Sequence, residues 1–572
     1  MADIVRGDAA LRRLSDPGFR SAWMTLRDAC PWGTVYQEPA FVSVWYRAYD
    51  RAYEPLVVSE TDAAGALSGA LFLGVCRRSG RLVSCGAEQA EYDAWLATPA
   101  RATAFLEAAC AALRRVFPYG RLQFLFLPPG APTAVEGAWQ RRAFLRTFAR
   151  PLLSTGPEAT DAQASLRKKG NKSKISQLQR LGPVTFSRVL DPGAFDALLS
   201  EMIPIFDARQ ATLNGAPPFA SDPARPAFFR EMFRAGLLHV TSMRVGERLA
   251  AAHIGHINGR QVVLGLIAHS PFLAKYSVGK FQMLWLAVLL QQEGFDAFDL
   301  TPAGDYKDRF ATHSDNAHVL TICLSRFDAE RYRLTRAAID SGKRYASTDA
   351  VKAALDRTRH EWRLLRTASL PGLAATLNAR RTRGRGPDVF IRPLSGAAAW
   401  PPSGPLGRDR LEDLLRYQPH HPGDPSLGDF MKLALGRLGD GQHVHTRVTS
   451  GRLSFWAWTS FPAGPPDTDA SGTSLPAGTV VISDWHIDAA GESREALREA
   501  LLQVTADAAT LPGARQVAVT GHLWRAWEDL LAAAGFVRWV APAADEAPGV
   551  PAAVVDRGVA RSEEPAPDAP RA

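Results

Sequence analysis

Three side chains capable of acid–base chemistry stand next to one another in the stretch TPAGDYKDRF: Asp305, Tyr306 and Lys307. The stretch follows AFDL, which we interpret as a short buried strand. A phenol of pKa about 10 can protonate a departing thiolate of pKa about 8.5 only when the two groups lie close together. Lys307 there could stabilise an oxyanion or an acidic substrate, and Asp305 could orient either group or act as a base. The alternative is a structural corner in which Tyr306 packs under the sheet.

A second candidate site is the small-residue loop KYSVGKF, which precedes a long apolar helix. The start of a helix presents unpaired N–H groups and a partial positive charge, which together suit a phosphate. Gly279 allows close approach to the backbone, Ser277 offers a hydroxyl, Lys280 adds charge, and Tyr276 lies beside them. We predict that these four residues bind an anionic co-substrate. Most glycine-containing loops before helices bind nothing, so the simpler alternative stays open.

Two further pairs are candidates for binding an acceptor substrate. Arg209 and Gln210 are expected in a loop after a helix, where they could hold the acceptor, although a solvated arginine is nearly as common. Tyr92 and Asp93, in AEYDAW, could line a cleft between two structural units.

The spacing of histidines and cysteines predicts no metal site. A separation of three residues on a strand puts His253 and His256 on opposite faces. His443 and His445 share a face, but no third ligand lies nearby in the sequence. The five cysteines are odd in number and lack the spacing of metal ligands, so we expect reduced thiols.

The composition is that of a globular protein: 46% of the 572 residues are hydrophobic and 22% are charged. No run of about 18 apolar residues exists, and the N-terminus lacks the apolar core of a signal peptide, so we expect a cytoplasmic protein without a transmembrane segment. The net charge is +9, and residues 326–385 hold 15 Lys and Arg against 6 Asp and Glu, a difference that equals the whole excess. This segment could contact an acidic partner or simply be a solvated helical face. Nothing in the pattern indicates a DNA-binding protein.

The order of predicted elements indicates an α/β (α+β) protein with mixed sheets flanked by helices. We predict a first unit at 1–155, a second unit at 156–326 and a basic helical connector at 327–386. A third unit at 387–542, expected to fold independently, and a disordered Pro- and Ala-rich tail at 543–572 follow.

The second unit resembles a known family through several stretches. They are LRKKGNKSKISQLQRLG, FDARQATLNGAPPF, RVGERLAAAHIGH, YSVGKF and GFDAFDLTPAGDYKDRF. These resemble the CelD/BcsL-type acetyltransferases of bacterial cellulose and exopolysaccharide biosynthesis, a tandem-GNAT group related to the Fem peptidyltransferases. The third unit looks similar to a further, degenerate GNAT half.

The resemblance implies a tandem-GNAT fold and an acyltransferase that uses acetyl-CoA or a longer acyl-CoA as co-substrate. The pyrophosphate would sit on the helix start at Ser277 and Gly279, and two strands would splay apart to hold the pantetheine arm. The acceptor would be a sugar, a glycan precursor or another small cell-envelope metabolite. Two alternatives stay open: an aminoacyl-tRNA-dependent Fem-type transferase, and a non-catalytic scaffold of a polysaccharide-synthesis complex.

Overall fold

The structure is a computed structural model of the chain. It describes residues 2–302, 304, 307–345, 388–394, 406–419, 424–461, 475–487, 494–521 and 525–539. The predicted residues Asp305 and Tyr306, most of the basic connector and the predicted tail lie outside the described residues.

The first unit is a five-stranded antiparallel sheet covered by helices. The strand order is β1-β2-β3-β4, with β5 paired to β3. The strands are β1 (Asp3–Arg6), β2 (Tyr53–Thr61), β3 (Leu67–Cys76), β4 (Leu82–Ser84) and β5 (Leu96–Ala97); the helices are α1 (Gly7–Ser15), α2 (Pro17–Ala29), α3 (Pro39–Ala48) and α4 (Ala102–Val116).

An eight-stranded mixed sheet forms the centre of the molecule, in the order β6-β13-β7-β12-β11-β10-β9-β8. Its strands are β6 (Arg121–Leu127), β7 (Ala143–Ser154), β8 (Val184–Arg188), β9 (Leu238–Val245), β10 (Arg248–Asn258), β11 (Gln261–His269), β12 (Ala297–Asp299) and β13 (His313–Cys323). Its helices are α5 (Asp161–Arg167), α6 (Lys169–Gln179), α7 (Pro192–Asn214), α8 (Pro218–Ser221), α9 (Arg225–Arg234) and α10 (Val278–Gln292). Strands β6 and β7 precede residue 155, so this sheet runs across the predicted boundary between the first two units, whose exact limits stay a prediction.

Among the described strands of this eight-stranded sheet, β11 and β12 form the only parallel pair, and the pairing is short. Gln261 pairs with Ala297, and the last matched pair is Val263 with Asp299. Strand β11 then continues to His269 while β12 ends at Asp299. A gap therefore opens between the two strands beyond Val263, and it leads from the start of α10 toward the end of β12.

The third unit repeats the order of antiparallel strands, helix and parallel strand. Its seven-stranded sheet runs β15-β16-β17-β18-β19-β14-β20, and β18 is parallel to β19. The strands are β14 (Asp388–Pro393), β15 (Gly407–Arg408), β16 (His443–Thr449), β17 (Arg452–Ser460), β18 (Thr479–Ile487), β19 (Gln516–Gly521) and β20 (Val537–Arg538); the helices, from the connector onward, are α11 (Arg326–Tyr345), α12 (Leu411–Leu414), α13 (Leu427–Gly439), α14 (Arg494–Ala509) and α15 (Arg525–Ala533).

The independent folding of the third unit stays a prediction, and the structure packs this unit against α7 in a shared buried core. Ala208 and Ala211 of α7 belong to the same apolar cluster as Met431 and Ala434 of α13. Packing is close, since a Cβ on Gly428 would lie 3.0 Å from the Ala211 carbonyl oxygen. Removal of the third unit would expose this face of α7 to water.

We expect Met431→Ala to lower the free energy of unfolding by roughly 2–5 kcal/mol, because it leaves a cavity in this shared core. Met431 is fully buried, whereas Leu433, on the same helix, is 62% exposed. Leu433→Ala is therefore the matched control and should change stability by less than about 0.5 kcal/mol. Chemical denaturation of both variants tests the packing, and equal losses for the two would contradict it.

Candidate active site

A cleft opens at the start of α10. Ser277 precedes the helix in the left-handed conformation, with φ of 62°, so the chain turns sharply out of the preceding 3-10 helix at Pro271–Tyr276. The cleft has a volume of about 320 Å³. It is lined by Arg209, Ile267, His269, Ala274, Ser277, Val278, Gly279, Lys280, Met283, Arg309 and Phe310. We call it the helix-start cleft. Three of the four residues predicted to bind the co-substrate line it, and Tyr276 instead packs half-buried beneath the Lys275 ammonium.

Basic side chains surround the helix-start cleft. Lys280 Nζ donates to Asn171 Oδ1 at 2.9 Å, and Lys174 Nζ donates to Ser277 Oγ at 2.7 Å. Both partners lie on α6, so the helix in KGNKSKISQLQ lies against the start of α10. This stretch carries part of the family resemblance, but no spacing signal in the sequence assigns Lys174 or Asn171 to the site. Two ammonium groups beside the start of a helix make a strongly electropositive cleft.

His269 forms one wall of the cleft and is neutral at physiological pH. Arg209 Nη1 lies 2.7 Å from the ring nitrogens, and because a guanidinium only donates, the facing nitrogen accepts. Burial, with a smaller contribution from the Arg209 charge, lowers the pKa of His269 to about 4. A Cβ on Gly279 would lie 3.2 Å from His269 Nδ1. A side chain here would require the His269 ring or the helix to shift by a few tenths of an ångström, so glycine favours this close approach.

At the other end of the gap between β11 and β12, the Asp299 carboxylate accepts three hydrogen bonds. It accepts from Tyr92 Oη at 2.7 Å, Arg150 Nη1 at 3.0 Å and Thr301 N at 2.8 Å. Arg150 also donates to both oxygens of Asp315, at 2.7 and 2.6 Å. Burial raises the pKa of Asp299, and the Arg150 charge and these bonds oppose that rise. Tyr92 comes from the first unit, so the network joins the two units at the strand end.

Lys307 lies in the same place and is buried. Its Nζ donates to the carbonyl oxygen of Thr301 at 3.2 Å and to its Oγ1 at 2.7 Å. Burial lowers the pKa of Lys307, while the negative charges of Glu91 and Asp299 act in the opposite direction. Thr301 itself has φ of 61°, a conformation that costs a β-branched residue energy and that clusters at functional sites. We call Tyr92, Arg150, Asp299, Thr301 and Lys307 the strand-end cluster.

The remaining predicted residues have mixed outcomes. Arg209 and Gln210 were expected in a loop after a helix, and this position is wrong. Both lie inside α7, which continues to Asn214. Gln210 Oε1 accepts from the Asn214 side chain and is not part of the helix-start cleft. Asp93 accepts from the backbone N–H of Leu125 at 2.7 Å, so it anchors β6 instead of facing the strand end. Burial raises the pKa of Asp93 to about 7.

Two comparisons with known proteins bear on this geometry. Residues 165–310 match the acetyltransferase (GNAT) domain family. This segment contains both the helix-start cleft and the end of β12. The chain therefore contains a GNAT-type acetyltransferase domain, and this domain makes it an acyltransferase. No curated protein sequence matches it.

Several solved structures share a weak likeness with the chain. FemX is 8% identical with a TM-score of 0.35, over 53% of this chain and 95% of FemX. A tandem GNAT protein of the clavulanic acid pathway is 13% identical with a TM-score of 0.34, over 57% of this chain and 99% of that one. The C-terminal domain assigned to a lysylphosphatidylglycerol synthetase of Agrobacterium fabrum is 12% identical with a TM-score of 0.35, over 53% and 91%. The family match, and not these likenesses, identifies the chemistry.

Among the residues that the structure describes, every helix is too short or too polar to span a membrane. The same residues contain no group of three or more His, Cys, Asp or Glu arranged to hold a metal ion. His443 and His445 pair separately, with Asp409 at 2.7 Å and with Asp507 at 3.0 Å.

Proposed function

We propose that the chain transfers an acyl group from acyl-CoA to an amine or hydroxyl of a sugar, glycan precursor or other cell-envelope metabolite. The observation that carries the proposal is the helix-start cleft, an electropositive cavity whose floor is the first turn of α10. The residues fit a pyrophosphate: the backbone N–H of Gly279 in the first turn of α10, with the ammonium groups of Lys280 and Lys174 beside it. The place in exopolysaccharide or cellulose biosynthesis rests on the resemblance to CelD/BcsL-type enzymes alone.

The gap between β11 and β12 provides the path for the pantetheine arm. It begins beside Ile267 and Met283 in the helix-start cleft and leads toward Phe310 and the strand-end cluster. An acyl group that followed this path would end between the first and second units. The acceptor would then bind on the first-unit side, where Tyr92 reaches the end of β12.

Acyl-CoA supplies the activated thioester when bound. Lys307, held by Thr301, provides a positive charge that favours the tetrahedral oxyanion over the planar carbonyl. Tyr306 and Asp305 stand next to it in sequence, and we keep Tyr306 as the proposed donor of a proton to the departing thiolate. Arg209, which lines the cleft, is proposed to hold the donor and not the acceptor.

Isothermal titration of the full chain with CoA tests the proposal. We expect micromolar to submicromolar affinity and no comparable binding of tRNA at physiological salt. Tight tRNA binding that weakens steeply with salt, together with no CoA binding, would favour the aminoacyl-tRNA alternative. Binding of neither would favour the scaffold.

Lys280→Met should raise the Kd for CoA about tenfold, which corresponds to about 1.4 kcal/mol, because one charge-assisted contact to phosphate is lost. Lys432→Met, at an exposed position on α13, is the control and should leave the Kd unchanged. The same titration measures both. An unchanged Kd in Lys280→Met would place the phosphates elsewhere.

A further inference from the structure

We propose that Glu91, a residue of the first unit, is the base that takes the proton from the acceptor nucleophile. The inference rests on the proposed acyl transfer and adds the residue that activates the acceptor. It also explains why the first unit is needed next to a GNAT domain.

The position of Glu91 is fixed by its neighbour. Tyr92 directly follows it and donates to Asp299 at the end of β12. Tyr36 lies on the other side, with its hydroxyl 3.2 Å from His256 Nδ1 on β10. These two contacts from the first unit to the central sheet place Glu91 at the junction of the units, on the side where the acceptor is expected.

The charges that act on the Glu91 carboxylate come from different parts of the chain. They are Lys307 and Asp299 at the strand end and Arg225 at the start of α9, and the phenol of Tyr36 bonds to the Glu91 backbone. Glu91 is half-buried, and no other residue that the structure describes hydrogen-bonds to its carboxylate. This distinguishes it from Asp299 and Asp93, whose oxygens accept bonds from the protein. Glu91 is thus a carboxylate available to a ligand.

The ionisation of Glu91 suits a base that works near neutral pH. Burial raises the pKa of Glu91 to about 7, although the Lys307 charge opposes the rise. The neighbouring histidines are less suitable: burial lowers the pKa of His256 to about 4 and that of His253 well below its usual value. Their rings are also buried within the sheet. Among these groups Glu91 best matches the pKa that general-base catalysis favours.

The step balances as follows. A Glu91 carboxylate oxygen accepts the proton of the acceptor N–H or O–H while the acceptor lone pair forms a bond to the thioester carbonyl carbon and the C=O π pair moves onto the oxygen. The oxyanion then re-forms the C=O bond, the C–S bond breaks, and its electron pair leaves on the thiolate. The thiolate takes up a proton from a neighbouring acid, which regains a proton from solvent while Glu91 releases its own.

Glu91→Gln tests the proposal without the acceptor, since water can replace the acceptor as the nucleophile. Hydrolysis of acetyl-CoA is followed by thiol release between pH 5.5 and 9, with CoA affinity measured in parallel. We expect the parent rate to rise through about pH 7 and then level, because only the ionised carboxylate is a base. Glu91→Gln should lower the plateau rate about 10²-fold, remove the inflection and leave the Kd for CoA unchanged. Glu88→Gln, at an exposed position three residues earlier, should behave like the parent.

An unchanged rate and inflection in Glu91→Gln would overturn the base assignment, whereas no CoA binding by the parent would overturn the proposed function itself. Carbon-13 NMR of labelled glutamate carboxyls, assigned by the signal missing in Glu91→Gln, reads the ionisation directly in the CoA complex. A Glu91 pKa below about 5, close to that of a free glutamate, would also overturn the assignment.

Discussion

Gly279→Asp is expected to weaken CoA binding by at least about 10²-fold, or about 2.7 kcal/mol. Aspartate in the first turn of a helix is electrostatically favourable, so α10 should still form. Its carboxylate would occupy the N–H groups and the positive field that we assign to the pyrophosphate. A Cβ there would also lie 3.2 Å from His269 Nδ1 and press on the wall of the cleft. Isothermal titration with CoA measures the loss, and circular dichroism confirms the fold.

The matched control is Gly436→Asp. Gly436 is an exposed helical glycine of the third unit, with no atom within 4 Å of an added Cβ. It adds the same charge to the protein at an exposed position that does not line the cleft, so CoA binding should be that of the parent. A folded Gly279→Asp variant that binds CoA as tightly as Gly436→Asp would disprove the assignment of the cleft.

Lys307→Met should lower turnover about 10²-fold or more and leave CoA affinity within about twofold. The methionine keeps the volume of the buried stem but removes the positive charge near Glu91 and Asp299. Since Lys307 opposes the rise in the pKa of Glu91, its loss should also move the pH profile to higher pH. Acetyl-CoA hydrolysis across pH measures both effects. Lys432→Met again serves as the exposed control.

A purely structural lysine would give a different result. Lys307→Met would then lower the melting temperature, because Thr301 loses its partner, while the rate per folded molecule and the pH profile stayed those of the parent. That combination would remove Lys307 from the mechanism.

The start of α10 could be predicted from the sequence because its signals are local. Small residues in KYSVGKF, followed by an apolar run, place the helix start correctly, and Ser277, Gly279 and Lys280 indeed line a cleft. The order of strands, helix and strand was also readable, since hydrophobic patterns change their period between elements. This order of elements, together with the quoted stretches, carries the resemblance to GNAT enzymes.

The strand-end cluster could not be predicted in the same way. Tyr92 and Arg150 reach Asp299 across 207 and 149 residues of sequence. Only tertiary packing brings such distant residues together, and the spacing of residues in the sequence does not predict these contacts. Of the five members, the sequence marks only two as candidates: Tyr92, in a pair with Asp93, and Lys307, in a run with Asp305 and Tyr306.

Arg209 and Gln210 do not lie in the expected loop, because α7 runs on to Asn214. In the structure α7 continues through Pro204, and Gly215 ends it in the left-handed conformation, with φ of 74°. Burial of Ala208 and Ala211 against the third unit stabilises the last turns, an effect that the local sequence does not show.

Tyr92 restricts how the first unit can move against the central sheet. Arg150 and Asp299 lie on the neighbouring strands β7 and β12 of that sheet and are at least nine-tenths buried, and Tyr92 donates to the same Asp299 carboxylate from the first unit. Separating the first unit from the sheet would take from this buried carboxylate a hydrogen bond worth about 1.5–3 kcal/mol, so a hinged-open form would be populated in fewer than about one molecule in ten. Catalytic cycling by wide opening of the two units is therefore disfavoured. Acceptor and product must exchange through openings that already exist in the closed arrangement, and the width of those openings limits the size of the acceptor.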